Sequence, residues 1–259
     1  MTSLVTLQLG RVAELALDNP PLNLLTDDLM AELEAALATL ESAPPGDVRA
    51  VVVTGRGDRA FSVGSDVKSF EGHRGPSGRE RFELEARIAQ RLAGLPMPTI
   101  AAVEAAALGG GLELALCCDL RVASERATLG LPEVRLAVTP STGGTQRLPR
   151  IVGMTWAKEL LLTGRVIGAE EAARIGLVNE VVPAGEALAR AHEFGDEIAQ
   201  RGPLAVRAVK VLVDAALDRP LAAGHEAEIQ TSLRIFASDD LLEGARSFLQ
   251  KRDPHYEGR

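Results

Sequence analysis

The sequence predicts an α/β protein in which strands and helices alternate over the first part of the chain and helices predominate after Gly153. Two short runs, 48–54 and 99–103, are almost wholly apolar, which is typical of strands buried on both faces. Longer segments around them carry apolar residues at helical spacing. With 46% hydrophobic and 25% charged residues, the 259-residue chain has the composition of a globular protein that builds a large core.

The N-terminal residues predict a β-hairpin followed by a helix. Residues 4–9 and 12–17 alternate apolar and polar side chains around a Gly-Arg turn, which is the pattern of two antiparallel strands. Thr26 is the predicted N-cap of a helix over 26–41, because two aspartates follow it in the first turn, where the helix dipole favours negative charge.

Glycine-containing segments separate the later elements. The stretch 71–79 combines Gly, Pro and Ser and predicts a mobile loop. After it, a helix is predicted at about 80–94, a short apolar helix at 112–118, and strands at 120–123, 127–131 and 178–182. Helices are then predicted over 155–164, 169–175, 186–201, 203–218, 221–237 and 239–250.

Charge and cysteine content narrow the classes of function. The net charge is −8 and the pI about 5.2, and such a field repels phosphate backbones, so a nucleic-acid partner is not expected. Cys117 and Cys118 are adjacent and no third cysteine exists, which favours a reducing compartment. The most apolar stretch, 98–118, contains Glu104 and Glu113, and no basic leader precedes it. We therefore expect a cytoplasmic protein with no membrane segment.

Three familiar site patterns are disfavoured. Residues 55–60 spell G-x-G-x-x-A after a strand, but they run into a second glycine turn rather than a helix, so a dinucleotide site is not expected. No two of the four histidines lie at i, i+4 spacing and no cysteine cluster exists, so no metal site is expected. No Ser/His/Asp arrangement supports a hydrolase triad.

Two glycine-containing segments are the strongest candidates for chemistry. Residues 60–68 (AFSVGSDVK) follow a buried strand, and residues 108–114 (LGGGLEL) lead from a strand into a helix. Glycine lets another group approach the backbone closely, and a helix start leaves N–H donors unpaired. Two such amides that converge would form an oxyanion hole, whereas two ordinary tight turns would show the same pattern.

Two glutamates in these regions lie among apolar residues. Glu113 stands within the apolar helix, and Glu133 follows Leu131 and Pro132. A carboxylate in such surroundings is costly unless it is used or partnered. Glu113 would otherwise be a first-turn capping acid and Glu133 a surface acid. Beside one oxyanion hole, the pair would suit general acid–base work on a single water.

Four motifs occur in a fixed order: A-F-S-V-G-S-D, A-L-G-G-G-L-E-L-A-L-C-C-D, L-P-E-V and T-P-S-T-G-G-T-Q-R-L. Three further segments accompany them: G-R-V-A-E-L-A-L-D-N-P-P-L-N, T-G-R-V-I-G-A-E-E-A-A-R-I-G-L-V-N-E-V-V-P and F-L-Q-K-R. Together they resemble the crotonase (enoyl-CoA hydratase/isomerase) superfamily over essentially the whole chain.

The resemblance implies a crotonase-like spiral of ββα units with a CoA-thioester site over residues 1–195, and a helical C-terminal region for oligomerisation over residues 196–259. It implies an acyl-CoA substrate, no separate cofactor because CoA is part of the substrate, and a homotrimer or a hexamer built as a dimer of trimers. By position, the amides of Ser65 and Gly110 would form the oxyanion hole. The CoA-binding residues that it implies are Asp66, Val67, Lys68 and Lys251, the last of which would reach a CoA on a neighbouring subunit.

Within that superfamily, Glu113 and Glu133 match both acid positions of the hydratases in type and spacing. The resemblance thus predicts syn hydration of a trans-2-enoyl-CoA to a 3-hydroxyacyl-CoA, with Glu113 activating water and Glu133 protonating the α-carbon. Ser141 replaces a usual glycine whose amide lies beside the water, which keeps an enoyl-CoA isomerase or a specialised acyl-CoA dehydratase as the alternative. A non-catalytic CoA- or RNA-binding scaffold is the rival of another class, although three glutamates offset the four arginines of 79–91.

Overall fold

Two β-sheets carry the N-terminal part of the fold. A computed structural model describes residues 3–44, 46–72 and 75–259. The strands of the larger sheet are β1 (Val5–Gln8), β2 (Val12–Leu17), β3 (Ala50–Gly55), β5 (Thr99–Val103), β7 (Leu120–Ser124) and β10 (Glu180–Val182), paired in that order. Those of the smaller sheet are β4 (Ala60–Ser62), β6 (Ala106–Leu108), β8 (Thr128–Gly130) and β9 (Ile167–Gly168), again paired in that order.

Helices follow or cover these strands. In the described ranges they are α1 (Asp27–Glu41), α2 (Pro76–Ala93), α3 (Gly110–Cys117), α4 (Gly144–Thr163), α5 (Ala169–Arg174), α6 (Ala187–Ala199), α7 (Pro203–Asp214), α8 (Leu221–Phe236) and α9 (Asp239–Gln250). Two 3₁₀ turns, Val67–Ser69 and Glu133–Leu136, lie after β4 and β8.

Consecutive strands go alternately to the two sheets. β3, β5 and β7 pair in parallel in the larger sheet, and β4, β6 and β8 pair in parallel in the smaller one. A helix follows each of the first two strand pairs, α2 after β4 and α3 after β6. This alternation builds a spiral of ββα units, and the spiral predicted from the sequence is therefore confirmed.

The predicted burial of β3 on both faces is also confirmed. Val51 and Val53 belong to the main core, with α1 and α2, whereas Ala50 and Val52 belong to a second cluster that packs against α6. Side chains of a strand alternate between its faces, so a strand covered by helices on both sides must be apolar at every position.

Most predicted elements are observed, with three differences. β4, β6 and β9 were not predicted, because two or three residues are too few to show a periodic pattern. α4 begins at Gly144, not near 155, and its axis breaks at Gly153, where φ is 78°. α2 begins at Pro76, inside the predicted loop 71–79, of which residues 73 and 74 lie outside the described residues.

The C-terminal helices present large apolar side chains to solvent. α8 has no buried residue, and Leu233 and Phe236 on it are 62% and 70% exposed. Over the described ranges, no helix is both long and apolar enough to cross a membrane. The boundary placed at residue 195 remains a prediction.

Candidate active site

One cavity of about 300 Å³ brings together most of the predicted site residues. Its walls come from the turn after β4, the start of α3, the 3₁₀ turn Glu133–Leu136, the segment 138–142 and one face of α2. The lining includes Ser65, Val67, Gly110, Glu113 and Glu133. Segments far apart in the chain therefore converge at one cavity.

Close backbone packing requires glycine at two of these positions. Gly64 has φ +84°, and a Cβ there would lie 2.9 Å from the backbone nitrogen of Gly110. A Cβ on Gly111 would lie 2.1 Å from the carbonyl oxygen of Ser62. Only glycine permits this approach. It brings the turn after β4 into direct contact with the first turn of α3.

The two predicted oxyanion-hole amides line the cavity in this contact region. Among the described residues, neither the Ser65 N–H nor the Gly110 N–H has a hydrogen-bond acceptor. Gly110 is the first residue of α3, where backbone donors lack an intrahelical partner. Two unpaired amides beside one cavity suit an oxygen atom that gains negative charge.

Glu113 is almost fully buried and is held by two backbone amides. The N–H groups of Thr142 and Gly144 donate to its Oε1 at 2.8 and 2.7 Å. Burial raises the pKa of the Glu113 carboxyl above its ordinary value; these two amides act against that shift and the charge of Glu85 adds to it. The carboxylate does not cap its own helix, because its partners lie at the start of α4.

Glu133 has the more unusual environment. Both of its carboxyl oxygens are buried, and no hydrogen-bond partner for them is found in the described part of the chain. Burial, with a contribution from the charge of Glu113, raises the pKa of Glu133 to about 7. A Cβ on Gly109 would lie 3.5 Å from Glu133 Oε1, so the carboxyl group lies beside the glycine turn. It is not a surface acid.

The cavity also contains an ion pair that the sequence analysis missed. Arg81 and Glu85, one turn apart on α2, are 8% and 5% exposed. The signal was present, because both residues have the spacing of Ile88 and Leu92 on the buried face of this helix. The net charge of the helix does not reveal this, whereas the positions of the charges along it do.

The predicted CoA-binding residues have different locations. Val67 lines the cavity and is 54% exposed. Asp66 and Lys68 do not line it, and Asp66 Oδ1 accepts a hydrogen bond from the Lys68 N–H at 3.0 Å, capping a 3₁₀ turn. Lys251 lies exposed at the C-terminal cap of α9 and does not line the cavity of its own chain.

The loop after β3 lacks the geometry of a dinucleotide site. The loop after β3 leads into β4 and not into a helix, so it lacks the helix N-terminus that a pyrophosphate needs. In the part of the chain that the structure describes, no group of three or more His, Cys, Asp or Glu side chains is placed to hold a metal ion.

Comparison with known proteins gives the family. The chain belongs to the enoyl-CoA hydratase/isomerase family, whose sequence model matches residues 8–259. It is 38% identical to the crotonyl-CoA hydratase of Syntrophomonas wolfei, over 95% of this chain and 94% of that protein. It is 37% identical to the short-chain-enoyl-CoA hydratase of Clostridium acetobutylicum, over 94% and 93%.

A solved structure shows the same fold. The crystal structure of enoyl-CoA hydratase from Bacillus anthracis superimposes with a TM-score of 0.95 at 37% sequence identity, over 99% of this chain and 100% of that one. The resemblance inferred from the motifs is therefore confirmed for family and fold.

Proposed function

We propose that this protein is an enoyl-CoA hydratase that adds water syn across a trans-2-enoyl-CoA and produces a 3-hydroxyacyl-CoA. The observation that carries the proposal is the location of Glu113 and Glu133 in one cavity with the amides of Ser65 and Gly110, which have no acceptor in the described part of the chain. Family membership and the hydratases among the similar proteins support it.

The two amides would bind the thioester oxygen. As hydroxide adds to the β-carbon, negative charge moves through the conjugated system onto that oxygen, and both N–H groups stabilise it. Preorganised donors of this kind contribute strongly, since loss of one typically costs about 3 kcal/mol of transition-state stabilisation.

The two glutamates would divide the proton transfers. Glu113, whose carboxylate is held by the Thr142 and Gly144 amides, takes a proton from water. Glu133, whose pKa is about 7, is partly protonated near neutral pH and delivers a proton to the α-carbon. General acid–base catalysis works best when the catalytic pKa lies near the working pH.

Substitution of each acid by its isosteric amide tests these roles. We expect Glu113→Gln and Glu133→Gln each to lower kcat on crotonyl-CoA by ~10²–10⁴-fold, the contribution typical of a general acid or base, while CoA binding changes little. Glu83→Gln is the control, because Glu83 lies on the exposed side of α2 in an ion pair with Arg79. Full hydratase activity in both site variants would refute the proposed roles.

Ser141 supports a second candidate, an enoyl-CoA isomerase or a specialised acyl-CoA dehydratase. Ser141 lines the cavity, and its hydroxyl donates to Glu85 Oε2 at 3.1 Å, so this loop differs chemically from one with glycine at the position. Turnover of paired 2-enoyl and 3-enoyl substrates separates the candidates. Activity on the 3-enoyl compound alone would favour the isomerase and reject hydration.

We further propose that CoA lies along Asp66, Val67 and Lys68, and that Lys251 reaches a CoA bound to a neighbouring subunit of a homotrimer or of a hexamer. The exposed apolar side chains of α7 to α9 support association through the C-terminal helices. CoA would enter as part of the substrate, with no separate cofactor. The cytoplasmic location inferred from the sequence remains a prediction.

A further inference from the structure

A third buried carboxylate, Glu85, faces the same cavity from α2. Arg81 Nε donates to its Oε1 at 2.6 Å. Arg81 is itself fixed, because it donates to the carbonyl oxygen of Leu25 at 2.6 Å and forms an ion pair with Asp27. Arg81 thus holds Glu85 in place on the α2 side of the cavity.

The second oxygen of Glu85 contacts the segment that carries the partners of Glu113. The hydroxyls of Ser141 and Thr142 donate to Glu85 Oε2 at 3.1 and 3.4 Å. Thr142 also donates its backbone N–H to Glu113 Oε1 at 2.8 Å. One residue, Thr142, therefore bonds to both carboxylates, and a shift of Glu85 would move a donor of Glu113.

Stability alone does not account for this ion pair. Taking two charges out of water costs roughly as much as their attraction returns, and well-packed apolar residues of similar size are often as stable. The same helix has an exposed pair of identical spacing, Arg79 and Glu83. The buried pair differs from it in contacting the loop that orients Glu113.

We propose that Glu85, held by Arg81, is a positioning residue that fixes the Ser141–Thr142 segment, so that the Thr142 and Gly144 amides orient the Glu113 carboxylate for proton transfer. The inference rests on the proposed hydratase function. Glu85 acts through this segment and through its charge; it takes no proton from the water.

The charge of Glu85 gives the proposal a pH signature. The titratable side chains that interact with Glu113 include Glu85 from α2, Glu133 from the 3₁₀ turn, and Cys117 one turn further along α3. The negative charge of Glu85 raises the pKa of Glu113 and so makes it a stronger base. Removal of that charge lowers the pKa of Glu113, and the base then stays ionised to lower pH.

The experiment compares Glu85→Gln with the matched control Glu83→Gln in pH profiles of crotonyl-CoA hydration. For Glu85→Gln we expect kcat to fall about tenfold, a part of the ~10²–10⁴-fold that a general base contributes, with KM within about twofold of wild type. The acidic limb of kcat/KM should move to lower pH. For Glu83→Gln, kcat, KM and the position of the acidic limb should equal those of wild type.

Two further variants test the link through the loop. Ser141→Ala removes one of the two hydroxyl contacts between the Ser141–Thr142 segment and Glu85. It should lower kcat by a smaller factor, without moving the acidic limb. In the double variant Glu85→Gln/Ser141→Ala the losses should be less than multiplicative, because both changes release the same segment. If Glu85→Gln fails to fold, Ser141→Ala alone decides: an unchanged kcat would overturn the proposal.

Other outcomes separate this proposal from the hydratase function. A Glu85→Gln enzyme with raised KM, unchanged kcat and an unmoved acidic limb would overturn the positioning role. If the wild type hydrates no 2-enoyl-CoA, the hydratase proposal fails, and infrared titration of the Glu113 carboxyl, assigned with Glu113→Gln, still tests the link. That carboxyl should titrate at lower pH in Glu85→Gln than in wild type, and equal titration would overturn the inference.

Discussion

The raised pKa of the Glu133 carboxyl suits proton transfer and lowers the stability of the folded protein at neutral pH. Its oxygens have no hydrogen-bond partner in the described residues, and burial raises its pKa to about 7. Below the ordinary pKa of 4.5 the group is neutral in both the folded and the unfolded protein. Between pH 4.5 and about 7 the Glu133 carboxyl is ionised in the unfolded protein but still protonated in the folded protein. The folded state therefore loses stability as the pH rises through this range. Above that range the loss is complete.

Glu133→Gln should therefore be more stable relative to wild type at pH 8 than at pH 5. The change in that difference should be at most about 3 kcal/mol, from ~1.4 kcal/mol per unit of pKa shift. The cost of an unpartnered amide does not depend on pH and cancels in the comparison. Denaturant unfolding at pH 5 and pH 8 measures the free energy of unfolding of both proteins. An equal difference between variant and wild type at the two pH values would contradict a raised pKa of Glu133.

Gly64→Ala should disrupt the contact between β4 and α3. A Cβ at this position would lie 2.9 Å from the Gly110 backbone nitrogen, and the alanine would have to adopt φ +84°. We expect a loss of about 1–3 kcal/mol of stability from backbone strain, with an additional fall in kcat because the Gly110 amide moves. Gly185→Ala is the control, since Gly185 has φ +89° and no described atom lies within 4 Å of its Cβ position. Equal kcat values for the two variants would refute the contact effect.

Among the elements, α7 is attached to the core by a buried charge. Lys210 Nζ lies 2.6 Å from Asp119 Oδ2, and the Thr99 backbone N–H donates to the same oxygen at 2.7 Å. Asp119 directly precedes β7, so this contact joins the C-terminal helices to the larger sheet. Because the Lys210 ammonium is buried, loss of either member of the Lys210–Asp119 pair should weaken the attachment of α7 to the larger sheet.

Lys210→Met should destabilise the protein by roughly 3 kcal/mol, because Asp119 then loses its ion-pair partner. Thermal unfolding should show a lower Tm, whereas kcat of the folded protein should stay the same, since Lys210 does not line the cavity. Arg150→Met is the matched control: Arg150 forms an exposed pair with Asp218 and should cost less than about 1 kcal/mol. Equal Tm values for the two variants would show that α7 is held by other contacts.

For the whole molecule, the exposed apolar residues of α7 to α9 define the expected assembly surface. Sedimentation should give three or six times the chain mass of 27.4 kDa. Phe236→Asp should dissociate the assembly, because a charge cannot be buried there without a partner. Leu9→Asp, an exposed change near the hairpin turn, should leave the mass unchanged. A monomeric wild type would refute the assembly.

The assembly also bears on CoA binding. If Lys251 contacts a CoA on a neighbouring subunit, Lys251→Ala should raise KM for an acyl-CoA severalfold and leave kcat unchanged, since uniform binding affects only KM. Lys158→Ala on α4 serves as the control for loss of one positive charge. Unchanged KM in the Lys251 variant would remove it from the CoA site.

Local signals explain which elements were predictable. The hairpin, α1 with its Thr26 cap, and the end of α4 at Gly164 are set by neighbouring residues, and each was predicted. The first half of α4 was not, because its glycines and Pro149 disfavour a helix locally and packing against α3 overrides them. The burial of Glu85 follows from its spacing on α2, but its role does not, because that role depends on partners 56 and 57 residues away.

The sequence by itself identified the candidate acids Glu113 and Glu133 and the two glycine-containing segments, because residue type and spacing along the chain are visible in it. Only the folded chain decided that the Thr142 and Gly144 amides hold Glu113 and that Glu85 faces the same cavity. It also decided that Glu133 has no hydrogen-bond partner among the residues that the structure describes. The physical reason is that burial, charge–charge coupling and hydrogen bonding depend on distances in space, and packing of remote segments sets those distances.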